Sequence, residues 1–166
     1  MRLSTRGRYA VMAMVEMACR DNQGQANPDG RPVTLGEIAA SQHLSVAYLE
    51  QLFGRLRRAG LVASARGPGG GYRLARPAAE IAIADVVDAA DEPIVATRCE
   101  SGGPGCLAGE RCLTHDLWFE LGHQIRLFLL GLTLADVVEG RVLGRAVPPA
   151  APGTARPWAA PPLAAQ

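Results

Sequence analysis

Two helix-period segments split by a tight turn, two short β-runs joined by a glycine-rich tip, and a long apolar-striped helix toward the C-terminus predict a mainly α fold with a small two-stranded wing. In that order they spell a winged helix-turn-helix followed by a long helix. A chain of 166 residues suits one domain of moderate size or a small domain with an appendage, and a hydrophobic content of 48% is enough for a packed core. The expected divisions are 1–76 for the winged unit, 77–145 for a cysteine-bearing loop with the long helix, and 146–166 for a disordered Pro/Ala-rich tail.

The first helix is expected over 6–20, with Tyr9, Met12, Ala13, Val15, Glu16 and Cys19 on a mostly apolar face. Arg2, Arg6 and Arg8 ahead of the run AVMAMV imitate a secretion signal. Glu16 stops that run after six residues, where an h-region needs roughly seven to fifteen. The segment therefore reads as a helix of a cytoplasmic protein. No apolar stretch approaches the ~20 residues of a membrane span. After the loop DNQGQANPDGRP, Thr34 and Glu37 have the spacing of a capping box, opening a short helix that carries Leu35, Ile38 and Ala39. The chain turns at His43 and Leu44. Ser45 then caps a second helix whose Leu49, Leu52, Phe53 and Leu56 form one stripe, and Gly60 ends it. The runs LVASA and GYRLA, joined by RGPGG, are the two strands of the wing. Residues 81–90 read as a helix and 99–112 as a Gly-rich loop. The long helix is expected over 114–130, with Leu117, Leu121, Ile125 and Phe128 on its stripe, and a short helix from Thr133. Six of the twelve prolines fall beyond Ala146, which is the basis for expecting a disordered tail.

The net charge of +1 hides an asymmetry. Residues 1–74 hold ten Arg against five acidic side chains, and residues 75–166 hold seven Arg against eleven. A basic front half suits nucleic acid. Within it, the second helix of the turn opens on Ser45, Val46 and Ala47, small enough to enter a major groove. Its outer face offers Tyr48, Glu50, Gln51, Arg55, Arg57 and Arg58. The wing tip sets Arg66 on the flexible Gly67-Pro68-Gly69, where it can reach a narrow minor groove. The expected DNA-contacting set is Arg2, Arg8, Ser45, Ala47, Tyr48, Glu50, Gln51, Arg55, Arg66, Gly67 and Gly69. Glu50 has the chemistry of a discriminator, accepting from a cytosine amino group or repelling a phosphate. The GPGGG string is no phosphate cradle, because no Lys-Ser or Lys-Thr follows and a strand, not a helix, comes next.

Cys99, Cys106 and Cys112 are followed by His115 in the string CLTH. In a reducing compartment clustered cysteines are metal ligands more often than disulfides. Thiolate and imidazole suit zinc and iron–sulfur clusters alike, although the gaps are not the CxxC pairs of common zinc modules. A three-thiolate, one-imidazole set makes ligation pH-sensitive, which fits a sensor better than a staple. His123, eight residues beyond His115, is a minor alternative ligand. Cys19 reads as a buried apolar-face thiol, His43 as a turn residue, and Trp118 and Phe119 as packing residues. No nucleophile–base pair or carboxylate pair stands out, so an enzyme is not expected.

The strings MRLSTRGRYAV, SVAYLEQLFGRLRRAGLV, RGPGGGY, ATRC and CLTHDLW together resemble the Rrf-type family of winged-helix regulators, in its iron–sulfur-responsive branch. The resemblance covers about 1–140. It implies a DNA-binding transcription regulator, mainly a repressor, of iron–sulfur cluster biogenesis genes. It implies a 2Fe–2S cluster on Cys99, Cys106, Cys112 and His115, and a homodimer formed through the 114–130 helix as dimerisation helix. It further implies a double-stranded operator, major-groove reading by Tyr48, Glu50 and Gln51, minor-groove reading by Arg66, and partner proteins that donate clusters. The gap from Cys99 to Cys106 is one residue longer than in that pattern, and the loop around 22–32 is also longer. The competing expectations are a zinc-stapled winged-helix module that binds protein, or a redox repressor without a cluster.

Overall fold

A computed structural model describes residues 5–22, 31–67, 69–90 and 113–145. Arg2, the Cys99–Cys112 loop and the 146–166 tail lie outside the described residues. The order is α1 (Thr5–Asn22), α2 (Leu35–Gln42), α3 (Val46–Arg58), β1 (Val62–Ala65), β2 (Gly71–Leu74), a 3-10 turn (Ala78–Glu80), α4 (Ile83–Ala89), α5 (His115–Leu130) and α6 (Leu134–Val138). This is the mainly α architecture with a two-stranded antiparallel wing that the sequence predicts.

The faces of α2 and α3 follow the expected periodicity; on α5 the expected stripe divides, with Ile125 half-buried and Leu117, Leu121 and Phe128 exposed, and α1 departs from it. There Ala10, Ala13, Met14, Met17 and Ala18 are buried, while Tyr9, Met12, Val15, Glu16 and Cys19 are half-buried. The expected face is corrected because α1 is the central helix. It packs on α2, β2, α4 and α6. The predicted helix over 81–90 is also shorter, starting at Ile83 after the 3-10 turn.

Local signals fix the helix ends. Thr34 Oγ1 accepts from the Glu37 N–H at 3.3 Å and Glu37 Oε2 accepts from the Thr34 N–H at 2.9 Å. His43 takes a left-handed backbone, φ 52°, to close α2. Ser45 Oγ accepts from the Tyr48 N–H at 3.2 Å to open α3. At the far end of α3, Gly60 (φ 70°) donates to Arg57 and Leu61 donates to Leu56, each at 3.0 Å, the paired bonds of a Schellman motif. A second capping box, between Thr133 and Asp136, opens α6.

In the wing, Val62 pairs with Leu74 and Ala65 with Gly71. Val33 and Tyr72 exchange two backbone bonds of 2.8 Å, tying the chain before α2 to β2. A second bridge joins Ala82 to Thr133 and so fixes the start of α6 to the start of α4. One apolar core unites these pieces. Its largest fully buried members include Met14, Met17, Ile38, Leu49, Phe53, Leu56, Ile81, Val86 and Leu134, drawn from α1, α2, α3, α4, α6 and the residue after the 3-10 turn.

Candidate nucleic-acid interface and ligand residues

The capping box of α2 is also an electrostatic node. Arg31 Nη2 donates to Glu37 Oε1, and Arg20 stands 4.0 Å from the same oxygen. Arg20 in turn binds Glu16 at 2.7 Å, and Gln42 donates to Glu16 at 3.0 Å. The Arg31 hydrogen bond, joined by the Thr34 N–H, holds the Glu37 carboxyl down at about 2. Burial works against ionisation of Glu16, but its bonds from Arg20, Ser41 and Gln42 outweigh that and leave its pKa lowered. This network locks α2 onto α1, and α3 is packed against α2.

The stripe of Leu49, Leu52, Phe53 and Leu56 seats α3 in the core and turns its other face outward. Ser45, Val46, Ala47, Glu50, Gln51, Arg57 and Arg58 are exposed there. Tyr48 is half-buried. Its ring meets that of Tyr9 edge-on, with centroids 5.9 Å apart and planes at 86°. Arg55 is also half-buried and donates to the Ala90 carbonyl at 3.4 Å, so it is turned partly inward. Arg6, from the first turn of α1, lines a small cavity of about 60 Å³ with Tyr48, Gln51, Leu52 and Arg55. Arg8 is exposed on the same turn.

At the wing tip Arg66 is exposed. Gly67 (φ 108°) and Gly69 (φ 78°) hold conformations that L side chains rarely adopt, and the Gly70 N–H closes the turn onto the Gly67 carbonyl at 2.8 Å. Gly71 has a different reason to be glycine. A Cβ there would press on the Val33 carbonyl, with the carbonyl carbon at 2.8 Å. Tyr72 packs under the wing against Phe53, with centroids 4.9 Å apart. The wing and α3 thus share one base.

Of the four expected metal ligands, His115 is described: it is half-buried and is the first residue of α5. Cys99, Cys106 and Cys112 lie outside the described residues. Among the described residues no group of three or more His, Cys, Asp or Glu side chains gathers to hold a metal ion. His123 is exposed two turns further along α5. Cys19 is half-buried, and burial with the nearby Glu16 charge pushes its thiol up, away from thiolate chemistry.

Most of α5 is open. Gly122 is its one buried residue among those described, while Leu117, Phe119, Leu121, Leu127, Phe128 and Leu130 are exposed. Phe119 is about half exposed. Trp118 is 37% exposed and donates from Nε1 to Thr114 Oγ1 at 3.2 Å. Among the described residues no helix is long and apolar enough to cross a membrane.

The sequence reading names Tyr9 and Arg6 only as a helix-face residue and a charge before the apolar run, and misses their place beside Tyr48. Nothing local marks that place, because it comes from the packing of α1 beside α3.

Comparisons with known proteins agree with this geometry. Residues 3–140 match the Rrf2 family, described as an iron-dependent transcriptional regulator. The HTH-type transcriptional regulator IscR of Serratia proteamaculans is 50% identical over 141 residues, which is 85% of this chain and 81% of that one. Among solved structures, CymR, the global cysteine regulator of B. subtilis, has a TM-score of 0.68 at 31% identity, over 84% of this chain and 98% of its own. IscR of T. potens has a TM-score of 0.65 at 34% identity, over 85% and 88% respectively.

Proposed function

Because the chain belongs to the Rrf2 family of transcriptional regulators, we propose that it represses iron–sulfur cluster biogenesis genes and reports cluster status through a 2Fe–2S centre held by Cys99, Cys106, Cys112 and His115. One observation carries this reading. The family match spans 3–140 and so takes in both the arginine-bearing head and the whole Cys99–His115 stretch. The donor set also fits the group: three thiolates and one imidazole complete the ligation of a 2Fe–2S unit and need no further side chain. When bound, such a cluster supplies a centre that is readily oxidised or lost.

The chain's own residues account for DNA recognition. Tyr48, Glu50 and Gln51 meet base edges in the major groove, with Ser45 and Ala47 at the entering end of α3. Arg66, carried by Gly67 and Gly69, enters the minor groove, and Arg2, Arg8 and Arg55 serve the phosphates. The exposed stripe of α5 pairs two chains as a homodimer, so that two heads address one duplex. His115, at the start of α5, joins the ligand set directly to the pairing helix.

The test is promoter binding by cluster-loaded protein and by Cys106→Ala, side by side at one stated salt concentration. Protein made without oxygen should be brown and hold two irons per chain, and the two forms should differ in operator occupancy. A colourless zinc protein, or equal occupancy by both forms, overturns the sensor reading.

A further inference from the structure

The C-terminal end of α4 is gripped from two sides. From α3, Arg55 Nη1 donates to the Ala90 carbonyl at 3.4 Å. From α5, Arg126 Nη1 lies 2.7 Å from each carboxylate oxygen of Asp88. The body of α4 cannot follow a movement of either neighbour, because Ile83, Ala84, Val86 and Val87 are buried in the core. The contacts on either side of it are thin. A cleft of about 340 Å³, lined by Arg55, Arg58, Ala59, Asp88 and Ala89, separates the end of α3 from α4. On the other side α5 rests, among the described residues, on a strip in which Gly122 is buried and Ile125, Arg126 and Leu129 are half-buried. A helix lying on such a strip can roll about it. The Asp88–Arg126 pair stands at the strip and opposes that roll.

We propose that Asp88 and Arg126 are positioning residues that set the angle between α5 and α3, and so fix the distance between the two reading helices of a paired molecule. The proposal rests on the reading that α5 pairs two chains. The pair is partly exposed, at 38% and 42%, so it adds little to the stability of the fold. Its effect is geometric. One base pair moves a half-site by about 3.4 Å along the duplex and turns it by about 35°. A roll of α5 is carried to both heads and changes that separation.

The experiment uses the full chain and duplexes that it selects from a random library. These are resynthesised with the gap between half-sites one base pair shorter or longer. Asp88→Asn keeps side-chain shape while removing charge, Arg126→Gln keeps a polar N–H donor on a shorter side chain while removing charge, and Arg126→Lys keeps the charge. Oligomeric state is measured by sedimentation and folding by circular dichroism. Both neutral variants should remain folded dimers, and their preference for the selected gap over the altered ones should shrink by about threefold or more, the scale of one exposed ion pair. Arg126→Lys should keep the wild-type preference. Folded dimers of both neutral variants with unchanged preference overturn the proposal. A wild-type chain that sediments as a monomer on its selected duplex overturns the pairing reading instead.

Discussion

Single residues decide how the wing is built and what it reads. Arg66 is exposed on a turn whose two glycines, Gly67 and Gly69, have positive φ. Arg66→Ala should cost roughly 1–3 kcal/mol of specific binding, and wild-type affinity in a titration would remove the wing from recognition. Glu50→Ala should instead change which promoters are preferred, since a carboxylate on the reading face both selects and repels. Binding compared across a promoter set checks this. Two glycines separate steric need from habit. Gly71 lies against the Val33 backbone, so Gly71→Ala should lower stability by about 1–3 kcal/mol through overpacking. Gly54, inside α3, has open space at its Cβ position, so Gly54→Ala should raise stability by about 0.5–1 kcal/mol. Denaturant midpoints of the two variants should move in opposite directions. The turn, its glycines and the exposed Arg66 were legible in the string RGPGGG because their cause is local. The brace of Tyr9 on Tyr48 was not, since it joins residues far apart in sequence.

At the level of elements, capping chemistry gives helices α2 and α6 a shared sensitivity to acid. Glu37 and Asp136 both titrate at about 2, below their ordinary values of 4.5 and 3.8. Arg31 and the Thr34 N–H hold Glu37 ionised, and the Thr133 N–H and hydroxyl, with Arg141 and Arg145, do the same for Asp136. A depressed carboxyl contributes its full stability above the unfolded pKa and loses it as pH falls through the folded one. The contribution is thus complete above about pH 4.5 and fades toward pH 2. Glu37→Gln keeps the capping geometry but removes the charge. It should be less stable than wild type by about 1 kcal/mol at neutral pH, and the gap should close between pH 4.5 and 2. Unfolding curves along that series measure it, and a gap independent of pH would deny the ion pairs their role. The first capping box was readable from Thr34 and Glu37. The second was not recognised, because Thr133-Leu134-Ala135-Asp136 carries Asp where the usual pattern has Glu or Gln. The face of α1 was misread for another reason. A helix surrounded by four elements has no single apolar side, so periodicity points between its neighbours. The Val33–Tyr72 and Ala82–Thr133 bridges are single-residue pairings across long separations, and no local window contains them.

At the scale of the whole molecule, the open apolar row among the described residues is that of α5. α5 offers Leu117, Leu121 and Phe128 to solvent on one face, while Gly122, Ile125 and Leu129, about a quarter of a turn away, lie against the body of the chain. The sequence marked that stripe as apolar, but periodicity alone does not say whether a stripe meets its own core or another molecule. The structure leaves Leu117 61% exposed, and in the proposed pairing this apolar row meets a second copy. Leu121→Glu together with Phe128→Glu should therefore leave the fold intact, because neither side chain enters the core, and should yield a monomer by sedimentation. Affinity for a two-half-site operator should then fall by a factor of roughly 10²–10⁴, the gain that linking two heads confers. Affinity for an isolated half-site should change little, because α3 and the wing are untouched. If the double variant still sediments as a dimer, the pairing face lies elsewhere. If it is a monomer that binds the full operator as wild type does, one head suffices, and the spacing between heads has no part in recognition.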